Sequence, residues 1–386
     1  MGLDRLLTRK YISKEGEKNL KTFNYAGDDP SYLYKYVNSP LAQFIVDHFT
    51  PRWLAPNVIT FMGFSFTLIM HIICFYYAQG EMQAEYYPRW MHLCCALAIW
   101  FYSICDNMDG KQARRTKSGS VLGATVDHGV DAINAGIIGI TLISSINMQN
   151  TKAYYAMAVV AFMPIFTAAW EEYHVGGMFM PVINGPNEGL LALESLHLIT
   201  FFCGIDWWHQ DVGYGLVRAD LFMFYTIFQG QFTSAQNIIR VINCKNGGPI
   251  LKRFKRLGML VFIMACVILV QVCSPTNIAV RKARWVIYFF HFGWAKCVTL
   301  IHVWYGSGQE LELFRKSVVI PFAIFTLNCV LGFFLGAAPI DEDILLYIGV
   351  ATTFSVYLHF ALSVIRHFAD FLGIKVFSIT PAAKSD

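Results

Sequence analysis

The sequence predicts an all-α, polytopic membrane protein with about ten transmembrane helices. Three observations lead there. Residues of the AVILMFWYC set make up 55% of the 386 residues and charged residues 15%, whereas a soluble domain carries about a quarter. Mean hydropathy is +0.45. The apolar residues also fall in runs of about 20, the length a helix needs to cross a 30 Å hydrocarbon core. A formal net charge of +4 says little about partners, and no nucleic-acid partner is expected.

Taken in order, the runs lie at about 57–79, 89–108, 124–147, 154–174, 189–206, 220–242, 257–273, 285–305, 317–336 and 343–365. The first follows Pro56, and the second ends where Asp106 and Asp109 begin a polar stretch. The fifth carries Glu194, and the eighth carries Lys296, His291 and His302. An ionisable group at such depth is expected to face the bundle interior. The sixth is the most interrupted, by Gln229, Gln231, Gln236, Asn237 and Arg240. Residues 1–56 hold Pro40, Pro51, Pro56 and an amphipathic stretch from Tyr32 to Phe49. They are expected to lie on the membrane surface, with Trp53 at headgroup depth.

The loops set orientation. Lys111, Arg114, Arg115 and Lys117 follow the second run, and Lys245, Lys252, Arg253, Lys255 and Arg256 follow the sixth. Arg315 and Lys316 precede the ninth, while Asp341, Glu342 and Asp343 precede the tenth. This pattern predicts a cytosolic N-terminus and a cytosolic C-terminus. Arg281, Lys282 and Arg284 go against it. The basic, polar N-terminus is not expected to act as a cleavable signal, and myristoylation is not expected, because Leu6 stands where a Met1-Gly2 terminus needs Ser or Thr. The ten cysteines are scattered through apolar runs without ligand-like spacing and read as small buried hydrophobes. No internal repeat suggests an inverted-repeat transporter.

The informative stretch is FYSICDNMDGKQARRTKSGSVLGATVDHGVDAIN, beginning at Phe101. Asp106 and Asp109 are three apart at the end of one helix, and Asp127 and Asp131 four apart at the start of the next, so each pair shares a face. The short basic loop between the helices predicts that they pack as neighbours and bring the four carboxylates together. Each carboxylate in an apolar segment costs roughly 2.5–3.5 kcal/mol, and four unpaired ones repel. One or two divalent cations resolve the repulsion, and an oxygen-only ligand set favours Mg²⁺ or Mn²⁺ over zinc. Gly110 admits a phosphate or base to the backbone, Ala113 keeps the next turn narrow, and Gly123 lets the third helix close on the second. Arg114 is suited to gripping phosphate bidentately, with Lys111 and Lys117 as point charges.

Asp106, Asp109, Gly110, Ala113, Arg114, Gly123, Asp127 and Asp131 satisfy D-x-x-D-G-x-x-A-R-x8-G-x3-D-x3-D. This resembles the signature of the CDP-alcohol phosphotransferase family. APNVIT (Ala55 to Thr60) resembles that family's first helix, and DGKQARRT with DHGVD its eukaryotic choline/ethanolamine phosphotransferase branch. WEEYH (Trp170 to His174) and VINGPNEGL (Val182 to Leu190) resemble the fungal and plant aminoalcohol enzymes. The resemblance implies that Asp106, Asp109, Asp127 and Asp131 hold two divalent ions against a donor diphosphate. Asn57, Thr60, Gly110, Ala113 and Arg114 would cradle its CMP part, helped by Lys117 and Gly123. It implies CDP-ethanolamine and/or CDP-choline as donor, diacylglycerol as acceptor, CMP as leaving group and Asp131 as base. His128 is the rival base, because an imidazole beside a metal site takes a proton near neutral pH. The chain departs from the branch at Ala124 and Val126, where Glu and Phe are usual, which bears on the donor headgroup.

Trp170, Glu171 and Tyr173 suggest an aromatic, acidic recess for an ammonium headgroup, or else an interfacial belt. The expected organisation is an interfacial segment at 1–56, a catalytic bundle from the first six spans at 57–242, and a four-helix region with a short tail at 243–386. The last is expected to form a homodimer interface or a lipid-entry wall. The expected location is the endoplasmic reticulum or Golgi, with the active site facing the cytosol. Within the family, the alternative is a CDP-diacylglycerol-dependent phosphatidyltransferase. From another class, it is a cation transporter or channel, which would spread acidic residues along a pathway.

Overall fold

The computed structural model describes residues 9–23, 25–152, 157–244 and 248–379. The Met1-Gly2 terminus, Lys245 and the first residues of the fourth predicted run lie outside them. Two short helices come first, α1 (Lys14–Asn19) and α2 (Ser39–His48). Ten longer ones follow: α3 (Pro56–Tyr77), α4 (Arg89–Thr116), α5 (Val121–Ser145), α6 (Met163–Val175), α7 (Leu190–Cys203), α8 (Arg218–Asn243), α9 (Gly258–Cys273), α10 (Ala283–Ser307), α11 (Lys316–Leu335) and α12 (Glu342–Leu372). Each falls on one predicted run. Helices α3, α5, α10, α11, α12 and the stretch Ile250–Cys273 containing α9 are long and apolar enough to cross a membrane. Among the described residues the other four are not: α4 carries the aspartates, α6 and α7 have 13 and 14 residues, and α8 carries the glutamines and Arg240. The protein is an all-α integral membrane protein.

Local chemistry sets the helix ends near the motif. Pro56 opens α3 with its preset φ and missing N–H. Lys117 closes α4 in the left-handed region at φ 54°. Three residues later the Ser120 Oγ accepts from the Gly123 N–H at 3.2 Å and starts α5. The sequence predicts that α4 and α5 pack directly. Instead α3 lies along both, and α4 and α5 touch each other little. Gly63 is what lets α3 in: a Cβ there would stand 2.8 Å from the Cys105 Cβ and 3.3 Å from the Tyr102 Cα. Gly63→Leu is therefore expected to push α3 off α4, lowering both the melting temperature and the activity. Thermal unfolding monitored by size-exclusion chromatography, with an activity assay on the folded fraction, checks this.

Helix α10 is the axis of the molecule. In its most apolar stretch 89% of residues are buried, against 28% for α12 and 39% for α3, α9 and α11, whose outer faces are left for lipid. Helix α10 packs on α5, α6 and α12, and a Cβ at Gly136 of α5 would overlap the His291 ring. Polar pairs tie these helices together. His71 bonds Thr141 at 2.7 Å and Tyr288 at 2.5 Å, and the Lys296 Nζ donates to the Ser317 Oγ at 2.8 Å. The basic residues that opposed the charge rule are neutralised: Arg281 pairs with Asp343 and Lys282 with Glu81, each at 2.6 Å. Arg284 is fully buried.

The N-terminal segment is fastened across the bundle. Gly27–Asp28 pairs in parallel with Met178–Phe179. The Asp29 carboxylate accepts from the Asn184 Nδ2 at 2.9 Å and the Asn187 Nδ2 at 2.7 Å, and the Ser31 Oγ donates to Glu188 at 2.5 Å. Burial pushes the Asp29 carboxyl above its ordinary value. The polar residues of VINGPNEGL thus hold this segment in place. Arg115 donates to the carbonyls of Val46 and Thr50 and so docks α2 on α4.

Candidate active site

Four carboxylates meet where α4 ends and α5 begins. Asp106, Asp127 and Asp131 each offer an oxygen within 4.8 Å of the others. Asp109 is buried beside them and accepts from the Thr60 Oγ1 at 2.5 Å. Helical periodicity explains the convergence: i, i+3 on α4 and i, i+4 on α5 put both pairs on facing stripes. The Tyr102 hydroxyl, one turn before Asp106, donates to the Asp131 Oδ1. The Asp127 Oδ1 is buried with no hydrogen-bond partner. No Lys or Arg side chain pairs with any of the four among the described residues. An all-oxygen cluster with a buried orphan acceptor fits hard divalent cations.

The residues expected around a nucleotide lie on one side of this cluster. Gly110 follows Asp109 directly, and a Cβ there would meet only the Arg114 Nη1, at an ordinary contact distance of 3.5 Å. Arg114 and Lys117 are exposed and Ala113 is half-buried. A Cβ at Gly123 would stand 3.8 Å from the Asn57 Oδ1, which brings the first turn of α3 to the start of α5. The Asn57 Nδ2 donates to the Val376 carbonyl at 2.8 Å, so the segment after α12 covers this edge. Lys111 turns away, to the Ser39 Oγ at 2.8 Å.

On the other side lies a group the sequence did not join. The His128 Nδ1 is 3.1 Å from the His302 Nδ1, which is 2.6 Å from the Glu172 Oε2, and all three residues are buried. The sequence singled out the neighbouring Glu171 and placed His302 only as an ionisable group expected to face the bundle interior. Glu171 in fact pairs with Arg240 at 3.0 Å. Trp170 is fully buried and donates to the Arg253 carbonyl at 3.2 Å, and the Tyr173 hydroxyl donates to the Gln309 carbonyl at 2.8 Å. Those three side chains are taken up in contacts between helices. The missed signal was a second glutamate in WEEYH facing an intramembrane histidine 130 positions away.

A membrane bundle with clustered carboxylates beside the exposed side chains of Arg114 and Lys117 is the setting of a polytopic membrane transferase. Comparison with known proteins narrows the class. The sequence profile described as CDP-alcohol phosphatidyltransferase matches residues 53–179, which include every aspartate of the cluster. Choline/ethanolaminephosphotransferase 1 of Arabidopsis thaliana is 30% identical over 96% of this chain and 98% of its own length. Cholinephosphotransferase 1 of Xenopus laevis is 28% identical over 86% and 82%. Choline/ethanolaminephosphotransferase 1 of Saccharomyces cerevisiae is 32% identical over 48% and 47%. The chain belongs to the CDP-alcohol phosphatidyltransferase family.

Proposed function

We propose that the chain transfers phosphoethanolamine and/or phosphocholine from a CDP-linked donor to 1,2-diacylglycerol, giving phosphatidylethanolamine and/or phosphatidylcholine and CMP. The observation that carries this is the cluster of Asp106, Asp127 and Asp131 within 4.8 Å, with the Asp127 Oδ1 unpaired. Asp106, Asp109, Asp127 and Asp131 would hold two Mg²⁺ or Mn²⁺ ions. When bound, these neutralise the donor diphosphate and the charge that develops as CMP leaves. Thr60 fixes the Asp109 carboxylate and Tyr102 the Asp131 carboxylate. Asn57, Thr60, Gly110, Ala113, Arg114, Lys117 and Gly123 form the nucleotide side.

In the reaction, the diacylglycerol hydroxyl oxygen forms a bond to the phosphorus bearing the amino alcohol. The bond from that phosphorus to the CMP oxygen breaks, and CMP carries the electron pair away. Asp131 takes the hydroxyl proton in this reading. The rival base, His128, points its Nδ1 at His302. Catalysis is mostly positioning and charge neutralisation in a site away from bulk water.

The active site is placed at the cytosolic face of the endoplasmic reticulum or Golgi, where the basic loops lie. The organisation into 1–56, 57–242 and 243–386 goes with this reading, α9, α11 and α12 presenting an apolar surface to membrane lipids or to a second copy of the chain. The test is a donor panel on the purified protein with Mg²⁺ and diacylglycerol. Phospholipid is expected from CDP-ethanolamine or CDP-choline. Turnover only of CDP-diacylglycerol with inositol, serine or glycerol phosphate, or cation flux without transfer, would overturn the reading.

A further inference from the structure

We propose that a cavity between the ends of α6 and α10 holds the phosphate of an anionic phospholipid headgroup, at a site apart from the four carboxylates. This does not rest on the reaction proposed above. The cavity has a volume of about 390 Å³ and is lined by Tyr173, His174, Arg256, Trp304, Tyr305 and Gln309. Sites for small ligands are commonly of this size. The first ground is a set of donors without acceptors. Arg256 carries five N–H groups and lies over the Tyr173 ring at 5.1 Å. Among the described residues its side chain gives one hydrogen bond, to the Glu310 Oε1 at 3.3 Å. That oxygen is held more closely by the Lys252 Nζ, at 2.6 Å, and Glu310 is exposed. Arg256 therefore keeps donors for a charged oxygen acceptor such as phosphate. His174, 8% exposed, forms part of the same wall, and its Nε2 has no hydrogen-bond partner among the described residues. A ring nitrogen left unpaired beside Arg256 is a second donor for an anion oxygen.

The second ground is position. The segment before α9, Ile250–Lys255, is a short helix whose Ile250, Leu251 and Phe254 are exposed beside Lys252 and Lys255. Apolar and basic side chains exposed together on one short element suit the headgroup layer of a membrane. Two contacts fix this segment. Arg253 is buried and donates from its Nε and Nη2 to the Gly248 carbonyl at 2.9 and 2.7 Å. Phe254 meets the Trp170 ring edge-on, with centroids 5.8 Å apart. Arg256 is thereby set in the cavity wall before any ligand arrives. A further cation, Arg315, stands over the Trp304 ring at 4.7 Å. A zwitterionic headgroup would bring its ammonium among Arg256, Lys252 and Arg315, which repel it, whereas an anionic headgroup brings charge of the fitting sign. With the phosphate on Arg256, the rings of Tyr173, Trp304 and Tyr305 are left to pack against the glycerol part. None of the motif aspartates lines this cavity.

The experiment measures lipid retention by native mass spectrometry, with the purified full chain in neutral detergent and phosphatidic acid and phosphatidylcholine added in equal amounts. Phosphatidic acid is expected to be retained about tenfold better, the scale of one charge-assisted hydrogen bond. This arm needs no variant. Arg256→Gln is expected to bring phosphatidic acid down to the level of phosphatidylcholine, and His174→Leu to weaken it severalfold. Glu310→Gln is expected to raise retention, because it removes the carboxylate that competes for the guanidinium; a merely structural role for Arg256 predicts no such gain. Equal retention of the two lipids, or unchanged retention in folded Arg256→Gln or His174→Leu, overturns the proposal. So does displacement of phosphatidic acid by inorganic phosphate at equal concentration, which would make the site one for free phosphate. Displacement by a CDP-alcohol donor would place the lipid at the four carboxylates and overturn it as well.

Discussion

Asp127→Asn is expected to lower turnover about a thousandfold, equivalent to about 4 kcal/mol of transition-state stabilisation, while the metal-free protein becomes more stable. The two effects share one cause. The Asp127 Oδ1 is buried without a partner, and the Asp127 carboxylate has an oxygen within 4.8 Å of one on Asp106 and one on Asp131. In the absence of cations, like charges at such separation disfavour the fold, and removing one relieves the repulsion. With Mg²⁺ present the ranking should reverse, because the wild type gains binding energy that the variant loses. Thermal unfolding of both proteins with chelator and with excess Mg²⁺, next to initial rates, reads all three quantities. A purely structural ion cluster predicts the opposite: the variant would be less stable with or without metal, and its activity would follow the folded fraction.

The second large effect lies at the other end of α10. Arg284 is fully buried, donates from its Nε to the Glu81 carbonyl at 2.7 Å and from its Nη2 to the Ser144 Oγ at 2.6 Å, and stacks over Phe75 at 5.4 Å. It thereby ties α10 to α3, to α5 and to the loop after α3. Hydrogen bonds from a charged donor contribute about 1.5–3 kcal/mol each, so Arg284→Ala should destabilise by about 3 kcal/mol or more. Arg284→Lys, which keeps the charge but not the planar fork, should fall between. Roughly 27 Å of helix separates Arg284 from His302, so activity per folded molecule is expected to stay near wild type. Thermal unfolding in detergent and an assay normalised to monodisperse protein check both halves. Unchanged stability in Arg284→Ala would mean that the buried guanidinium contributes nothing net.

What could be read from the chain alone follows the range of the interactions. The aspartate faces of α4 and α5 were legible because three- and four-residue spacing is local to one helix. Tyr102, one turn before Asp106, obeys the same rule and could have been named with them. The placement of α3 between α4 and α5 was not legible, because a short loop states adjacency in sequence and not which third helix Gly63 admits. Glu172 and His302 lie 130 positions apart, and nothing local marks them as partners. The basic residues at 281–284 misled the charge pattern for the same reason: Asp343 and Glu81, which neutralise Arg281 and Lys282, are distant in the chain.

The most direct measurement is the release of CMP and the formation of labelled phospholipid, followed together in the purified protein with diacylglycerol and a CDP-alcohol donor, first in chelator and then with Mg²⁺ restored. The account predicts no transfer in chelator, recovery on adding Mg²⁺ or Mn²⁺, and one CMP released per phospholipid formed. Transfer that continues at full rate in chelator would contradict the role given to the four aspartates, and CMP release without phospholipid would contradict the acceptor.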